Sequence, residues 1–208
     1  MQREIEAKIP KYTINNHEFT NASANYIYVV DWTNFKCGEF KVKIHESNKP
    51  EHPISGEEVN SVIINNKSEI KITFDLFGDN ALPIKKGLSS RQCECVCFPS
   101  DYNDASWILF IETKYAEDII SAFDEKYKYP YNMKEQIKAT VQYFRDKSIL
   151  EKDRIVNAVI SFPNVNEPYH EIAILQDELD EFYDNCGIII RATNTVEVVD
   201  ETDINLIS

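Results

Sequence analysis

The chain has 208 residues, of which 43% are hydrophobic, which is enough for one substantial domain with an appendage. Its formal net charge at pH 7 is −13. A surface this acidic repels a phosphate backbone and an anionic membrane surface, so nucleic-acid binding would require a local basic channel.

The cysteines and the hydrophobic runs indicate a reduced compartment and no membrane partner. Five cysteines, an odd number, do not suggest a disulfide framework. Cys93, Cys95 and Cys97 alternate on one predicted strand, too far apart to share a tetrahedral zinc ion, so we expect them to be buried beneath a helix and unpaired. No signal core or membrane-length run is present, and we expect a cytoplasmic protein.

The first 80 residues have mostly β-type patterns. Residues 1–25 are polar and show no clear period. Ser55 followed by Glu58 is a capping-box pattern for a short helix, although residues 59–64 alternatively form a strand. Three segments alternate well enough to be strands: residues 26–32, 39–45 and 69–76.

The clearly basic stretch lies just before the centre of the chain. Lys85, Lys86 and Arg91 fall within residues 83–91, which lead directly into the next predicted strand. The stretch could hold phosphates beside an active site, or it could be a solvated loop, and the sequence favours neither.

A predicted β-hairpin follows this stretch, and the functional prediction depends on it. Two apolar runs, residues 91–98 and 107–114, flank a loop rich in Pro, Ser, Asp and Asn. Both runs are apolar on both faces, which is typical of strands that are covered on both sides. Besides Arg91 at the start, three charged residues nevertheless lie within these two runs: Glu94, Glu112 and Lys114.

Strand alternation places these three residues on one face. If Glu94 pairs opposite Glu112, both carboxylates and Lys114 share a face, with opposed Cβ atoms about 5 Å apart. Carboxylates this close repel each other unless a positive charge lies between them, and Mg²⁺ accepts one or two carboxylates with water and phosphate oxygens. The alternative is an exposed ion pair between Glu112 and Lys114, with Glu94 a solvated neighbour.

This hairpin, with its first acid, its E-x-K and the helix after it, resembles the PD-(D/E)XK nuclease superfamily over about residues 91–192. The resemblance implies that Glu94 and Glu112 bind Mg²⁺ or Mn²⁺, together with the backbone carbonyl of Thr113. It also implies that Lys114 positions or activates the attacking water. The Pro-Asp of the family motif is Cys-Glu here, so the longer glutamate must reach the same metal.

The second half alternates helices and strands. Residues 116–126 predict a helix with Ile119, Ile120 and Phe123 on one side, and residues 167–185 contain an acidic helix. A longer helix begins after an aromatic linker, with Asn132 as its cap, and runs to about residue 148. Its core stripe is Met133, Ile137, Val141 and Phe144. Strands are predicted at residues 154–162, 187–192 and 195–199.

The resemblance adds weaker candidates. Family members often carry a further acid on a helix before the hairpin, where this chain has Glu57 and Glu58. Some also have a helical Q-x-x-x-Y, which Gln136 and Tyr143 match only in part, because Tyr143 lies at i+7. The candidates for substrate binding are Lys85, Lys86, Arg91, Gln136, Tyr143 and Lys147. A polar flank on an amphipathic helix is the alternative for those that follow the hairpin.

These elements predict an α/β (α+β) fold with a mixed central sheet flanked by helices, a restriction-endonuclease-like core. Residues 1–80 would form a β-rich region packed on or extending a core of residues 81–208. The predicted function is a divalent-metal-dependent nuclease on DNA or RNA, as in restriction or defence. The alternative is a non-catalytic protein on the same fold, whose acidic surface binds a basic protein partner. A homodimer is also left open.

Overall fold

The computed structural model describes residues 1–32 and 42–207. The helices are α1 Gln2–Lys8, α2 Ile119–Ala122, α3 Tyr129–Asp146, α4 His170–Ala173 and α5 Gln176–Cys186. The strands are β1 His17–Ala22, β2 Tyr26–Asp31, β3 Val42–Glu46, β4 Val62–Asn65, β5 Ile72–Phe77, β6 Pro83–Lys85, β7 Leu88–Ser89, β8 Cys95–Pro99, β9 Leu109–Thr113, β10 Val156–Ser161, β11 Ile188–Ala192, β12 Thr195–Val198 and β13 Ile204–Ile207. A 3₁₀ turn, Ile14–Asn16, precedes β1.

The first sheet has six strands in the order β1-β5-β8-β9-β10-β11. Its first four strands are antiparallel, whereas β9, β10 and β11 run parallel to one another. Parallel neighbours need a crossover connection, which α2 and α3 supply between β9 and β10, and α4 and α5 supply between β10 and β11. All residues of β8 and β9 are buried, as expected for central strands that are covered on both faces.

One face of this sheet packs against helices. The predicted stripe of α3, Met133, Ile137, Val141 and Phe144, is buried at 0–1% exposure. It joins Phe110 of β9 and Ile160 of β10 in one apolar cluster, with the Phe110 and Phe144 rings 5.6 Å apart edge to face. The apolar stripe of α3, which recurs every 3.6 residues, therefore packs against the sheet as the sequence predicted.

The other face packs against a second sheet, in the order β13-β12-β4-β2-β3. Val29 of β2, Ile64 of β4 and Val196 of β12 lie in one buried cluster with Phe74 and Leu109 of the first sheet. Both sheets contain parallel and antiparallel pairs. The fold is therefore a mixed α+β arrangement in three layers, helices on sheet on sheet.

The cysteine prediction is half right. Cys93, Cys95 and Cys97 are buried and unpaired. However, Cys95 and Cys97 belong to the cluster between the two sheets, and only Cys93 joins the cluster under the helices. The second sheet, which the sequence did not predict as a covering layer, buries the face that we assigned to a helix.

Several local predictions fail. The helix predicted over 116–126 shrinks to α2, where Asp118 caps the Ser121 amide, and Ile120 is 78% exposed rather than buried. Asn132 does not cap α3, which begins three residues earlier, at Tyr129. Residues 59–64 follow the strand alternative, as β4.

The sequence pattern also missed some elements and left others untested. Strands β1 and β13 and helix α1 were not predicted. The segment predicted as a strand over 39–45 appears as β3, but its beginning and the turn before it lie outside the described residues.

The predicted boundary at residue 80 does not separate the two sheets, because each sheet contains strands from both sides of it. Strands β1 and β5 extend the sheet that holds β8 to β11, while β2, β3 and β4 form the second sheet together with β12 and β13. Across residues 1–32 and 42–207, no helix is long and apolar enough to cross a membrane.

Candidate active site

The hairpin of β8 and β9 positions the predicted acids. Cys95 lies opposite Ile111, and the Glu94 amide donates to the Ile111 carbonyl at 3.0 Å, so Glu94 lies opposite Glu112. This is the register that the sequence predicted, and it is confirmed. Glu112 shares a strand face with Phe110, so its side chain points to the helical side of the sheet.

Lys114 lies between the two carboxylates. Its Nζ is 2.6 Å from Oε1 of Glu112 and 3.2 Å from Oε1 of Glu94. The Glu112 side chain is 0% exposed, whereas those of Glu94 and Lys114 are 19% and 23% exposed. The three predicted residues therefore converge on one point, with Lys114 on the solvent side of the deeper acid.

Burial and mutual repulsion strain this group electrostatically. Burial raises the pKa of Glu112 well above its usual value, and the charge of Glu94 raises it further, while Lys114 opposes both effects. Burial also raises the pKa of Glu94, against the opposing charge of Lys114. Burial by itself would lower the pKa of Lys114, but the two carboxylates raise it above its ordinary value. One ammonium lies beside two carboxylates, so the group carries a net charge of −1 when all three side chains are ionised.

The surroundings of Glu112 fit a divalent cation. Apart from the Lys114 ammonium, neither oxygen of Glu112 has a hydrogen-bond donor among residues 1–32 and 42–207. A buried carboxylate with unused lone pairs is costly unless it takes up a proton or holds a metal. Within the described chain no three His, Cys, Asp or Glu side chains group as a metal site, so such an ion would rest on two carboxylates.

Lys114 lines a cleft of about 570 Å³ beside the first turn of α3. The cleft is lined by Asp79, Asn80, Ser90, Arg91, Gln92, Lys114, Tyr129, Asn132 and Gln136. Three hydrogen bonds set its walls: the side chain of Gln136 donates to the Gln92 carbonyl, that of Gln92 donates to the Gly78 carbonyl, and the Cys93 amide donates to Thr140. The strand and α3 are thereby held at a fixed distance beside Lys114.

The weaker predicted residues separate into two groups. Arg91 and Gln136 line the cleft. Lys85 and Lys86 are exposed at the β6–β7 turn and are not among the residues that line it. Tyr143 is buried and its hydroxyl donates to the Pro83 carbonyl, while Lys147 lies over the Tyr143 ring.

Thr113, whose backbone carbonyl the resemblance implies as a metal ligand, is buried at the end of β9 between Glu112 and Lys114. Glu57 and Glu58, the candidates for a further acid, are exposed.

Two acids near the site were missed. Asp31 ends β2, is 2% exposed, and its charge helps to raise the pKa of Glu94 and Glu112 after the larger effect of burial. Asp79 lines the cleft and acts on Glu94 in the same way. Neither lies in a motif: Asp31 is the last residue of β2, and Asp79 lies in the turn after β5. The one available signal was an acid at the end of an apolar strand.

Comparisons with protein-family models, with curated proteins and with solved structures found no match for this chain. The resemblance to the PD-(D/E)XK superfamily therefore rests on the hairpin motif and on the geometry of Glu94, Glu112 and Lys114.

Proposed function

We propose that this protein is a divalent-metal-dependent nuclease that hydrolyses phosphodiester bonds, with a restriction-endonuclease-like core. The observation that carries the proposal is the group of Glu94, Glu112 and Lys114, with two carboxylates that have unused lone pairs and one ammonium that lines a cleft. A hairpin followed by a helix and a parallel strand, here β8, β9, α3 and β10, supports the core assignment.

Each residue has a distinct role in this proposal. Glu94 and Glu112 supply the negative charge that would hold Mg²⁺ or Mn²⁺, with the carbonyl of Thr113 beside them. When bound, the cation would supply Lewis-acid stabilisation of the charge that develops on the phosphate. Lys114 orients the attacking water by donating a hydrogen bond and stabilises the developing negative charge. Arg91 at the cleft wall is placed to contact a neighbouring phosphate.

The position of Lys114 implies an order of events. Its ammonium contacts the two carboxylates that the cation would contact, and the Glu112 side chain has no surface exposed to solvent. A cation can therefore approach Glu112 only if Lys114 moves aside. With a cation held by Glu94 and Glu112, Lys114 would be released from its ion pairs and would donate a hydrogen bond to the attacking water.

The test is cleavage of labelled single- and double-stranded DNA and RNA with Mg²⁺ or Mn²⁺. Glu112→Gln keeps the volume but removes the charge, so we expect loss of cleavage and of calorimetric Mn²⁺ binding. Lys114→Ala should lose cleavage but retain metal binding. The matched control is Glu57→Gln, which removes an equivalent charge from an exposed position and should cleave as the unmodified protein does.

One observation favours a second candidate function. Lys114 contacts both carboxylates, so the group could be a structural ion-pair network in a non-catalytic protein whose acidic surface binds a basic protein. Such a protein would bind no Mn²⁺ at millimolar concentration and cleave none of the four substrates. In that case a pull-down with basic partners would be the decisive experiment.

A further inference from the structure

A tyrosine of the candidate cleft stacks on a second tyrosine ring. Tyr127 and Tyr129 have ring centroids 5.2 Å apart and planes inclined by 7°. Tyr129 lines the cleft together with Lys114, while Tyr127 is 44% exposed.

Cations accompany the stacked tyrosines. Lys126 places its Nζ 5.3 Å from the centroid of the Tyr127 ring. Arg91 also lines the cleft, and it forms no ion pair within the described part of the chain. Aromatic faces combined with a few cations are what proteins use to bind unpaired bases and the phosphates that link them.

A duplex does not fit this arrangement. Its bases are stacked on one another and are not available to a tyrosine face, and proteins that bind it neutralise many phosphates. Here the net charge is −13, and the cations that line the cleft are Arg91 and Lys114, the latter paired with Glu94 and Glu112. The small number of unpaired cations at the cleft therefore favours a single strand over a duplex.

We propose that the cleft binds single-stranded nucleic acid, with an unpaired base stacked on the Tyr127–Tyr129 pair and the adjacent phosphates at Arg91 and Lys126. This rests on the proposed function, because the stacked base would place its neighbouring phosphodiester at the Glu94–Glu112–Lys114 group. Asn80 also lines the cleft and supplies a free amide for a base edge, whereas the Asn132 amide donates to the Tyr127 carbonyl.

The test separates binding from cleavage. Fluorescence anisotropy of a labelled thymidine oligonucleotide is measured in EDTA, against an abasic strand of equal length and a duplex. We expect the thymidine strand to bind more tightly than either competitor. Tyr127→Ala should weaken its binding about 5- to 150-fold, which is the effect of losing one base–aromatic stack, while leaving the abasic strand unaffected. Tyr127→Phe should bind as the unmodified protein does.

Controls and contrary outcomes are specific to this inference. Tyr183→Ala removes a tyrosine of similar exposure from α5, away from the cleft lining, and should leave binding unchanged. Equal binding of abasic and thymidine strands, tighter binding of the duplex, or displacement by thymidine monophosphate at equal concentration would each overturn the inference. Base-dependent binding without cleavage would refute the nuclease alone, while cleavage of duplex without base dependence would refute only the single-strand proposal.

Discussion

Replacing Lys114 by Met tests whether the central ammonium acts as a substitute for a metal ion. The substitution keeps most of the side-chain stem but removes the charge that lies 2.6 Å from Glu112 and 3.2 Å from Glu94. Breaking a fully buried ion pair costs about 3–5 kcal/mol. Because the Lys114 and Glu94 side chains keep about one fifth of their exposure, we expect a loss of about 2–4 kcal/mol in the free energy of unfolding.

The loss should depend on pH. The folded-state pKa of Glu112 is already above its unfolded value, so the native state binds the extra proton and stability falls as pH rises through that folded pKa. Without Lys114 this pKa rises further, because the opposing charge is gone. The variant should therefore differ least from the unmodified protein at acidic pH, and its loss of stability should grow as pH rises.

The assay is thermal unfolding followed by circular dichroism, with and without Mn²⁺. The expected loss corresponds to a fall in Tm of roughly 5–15 °C for a chain of this size. Mn²⁺ at about 100 times its Kd should restore about 2.7 kcal/mol, and it should stabilise the variant more than the unmodified protein, in which Lys114 competes. Lys85→Met, at an exposed position, is the control. A destabilised variant that Mn²⁺ does not rescue would refute the reasoning and leave the group a structural ion pair.

Three further predictions concern the rest of the fold. Asp75 and His17 form a buried pair in which both pKa values are raised, that of Asp75 to about 6 by burial, so stability should fall as pH rises from about 4 to 7. Asp75→Asn should flatten this slope in urea unfolding, and an unchanged slope would contradict the assignment. The Cys95 thiol, whose pKa burial raises well above its usual value, should react with a thiol reagent only after unfolding, and rapid labelling of the native protein would count against its burial. Ile137→Ala in the α3 core should lower the free energy of unfolding by about 2–5 kcal/mol. Ile120→Ala, at a 78% exposed position, should change it by no more than about 0.5 kcal/mol. Similar losses for the two variants would contradict the packing of α3.

Local periodicity determined the parts of this protein that depend on one strand or one helix. Alternation places Lys114 on the same face as Glu112, because a side-chain period of two leaves only one parity for each residue. The assumed hairpin register then places Glu94 opposite Glu112, as the structure shows. The stripe of α3 was predictable for the same reason, since its apolar positions recur at 3.6 residues and must face a core.

The tertiary structure decided what covers each face and which distant residues meet. Nothing in the pattern of Cys95 and Cys97 distinguishes a helix from a second sheet as the covering layer, since both bury small apolar side chains equally well. Asp31 and Asp79 act on Glu94 although neither lies in the hairpin, because separate segments of the chain end beside the same cleft. Such proximity depends on how the layers stack, and the spacing of residues along the chain does not encode it.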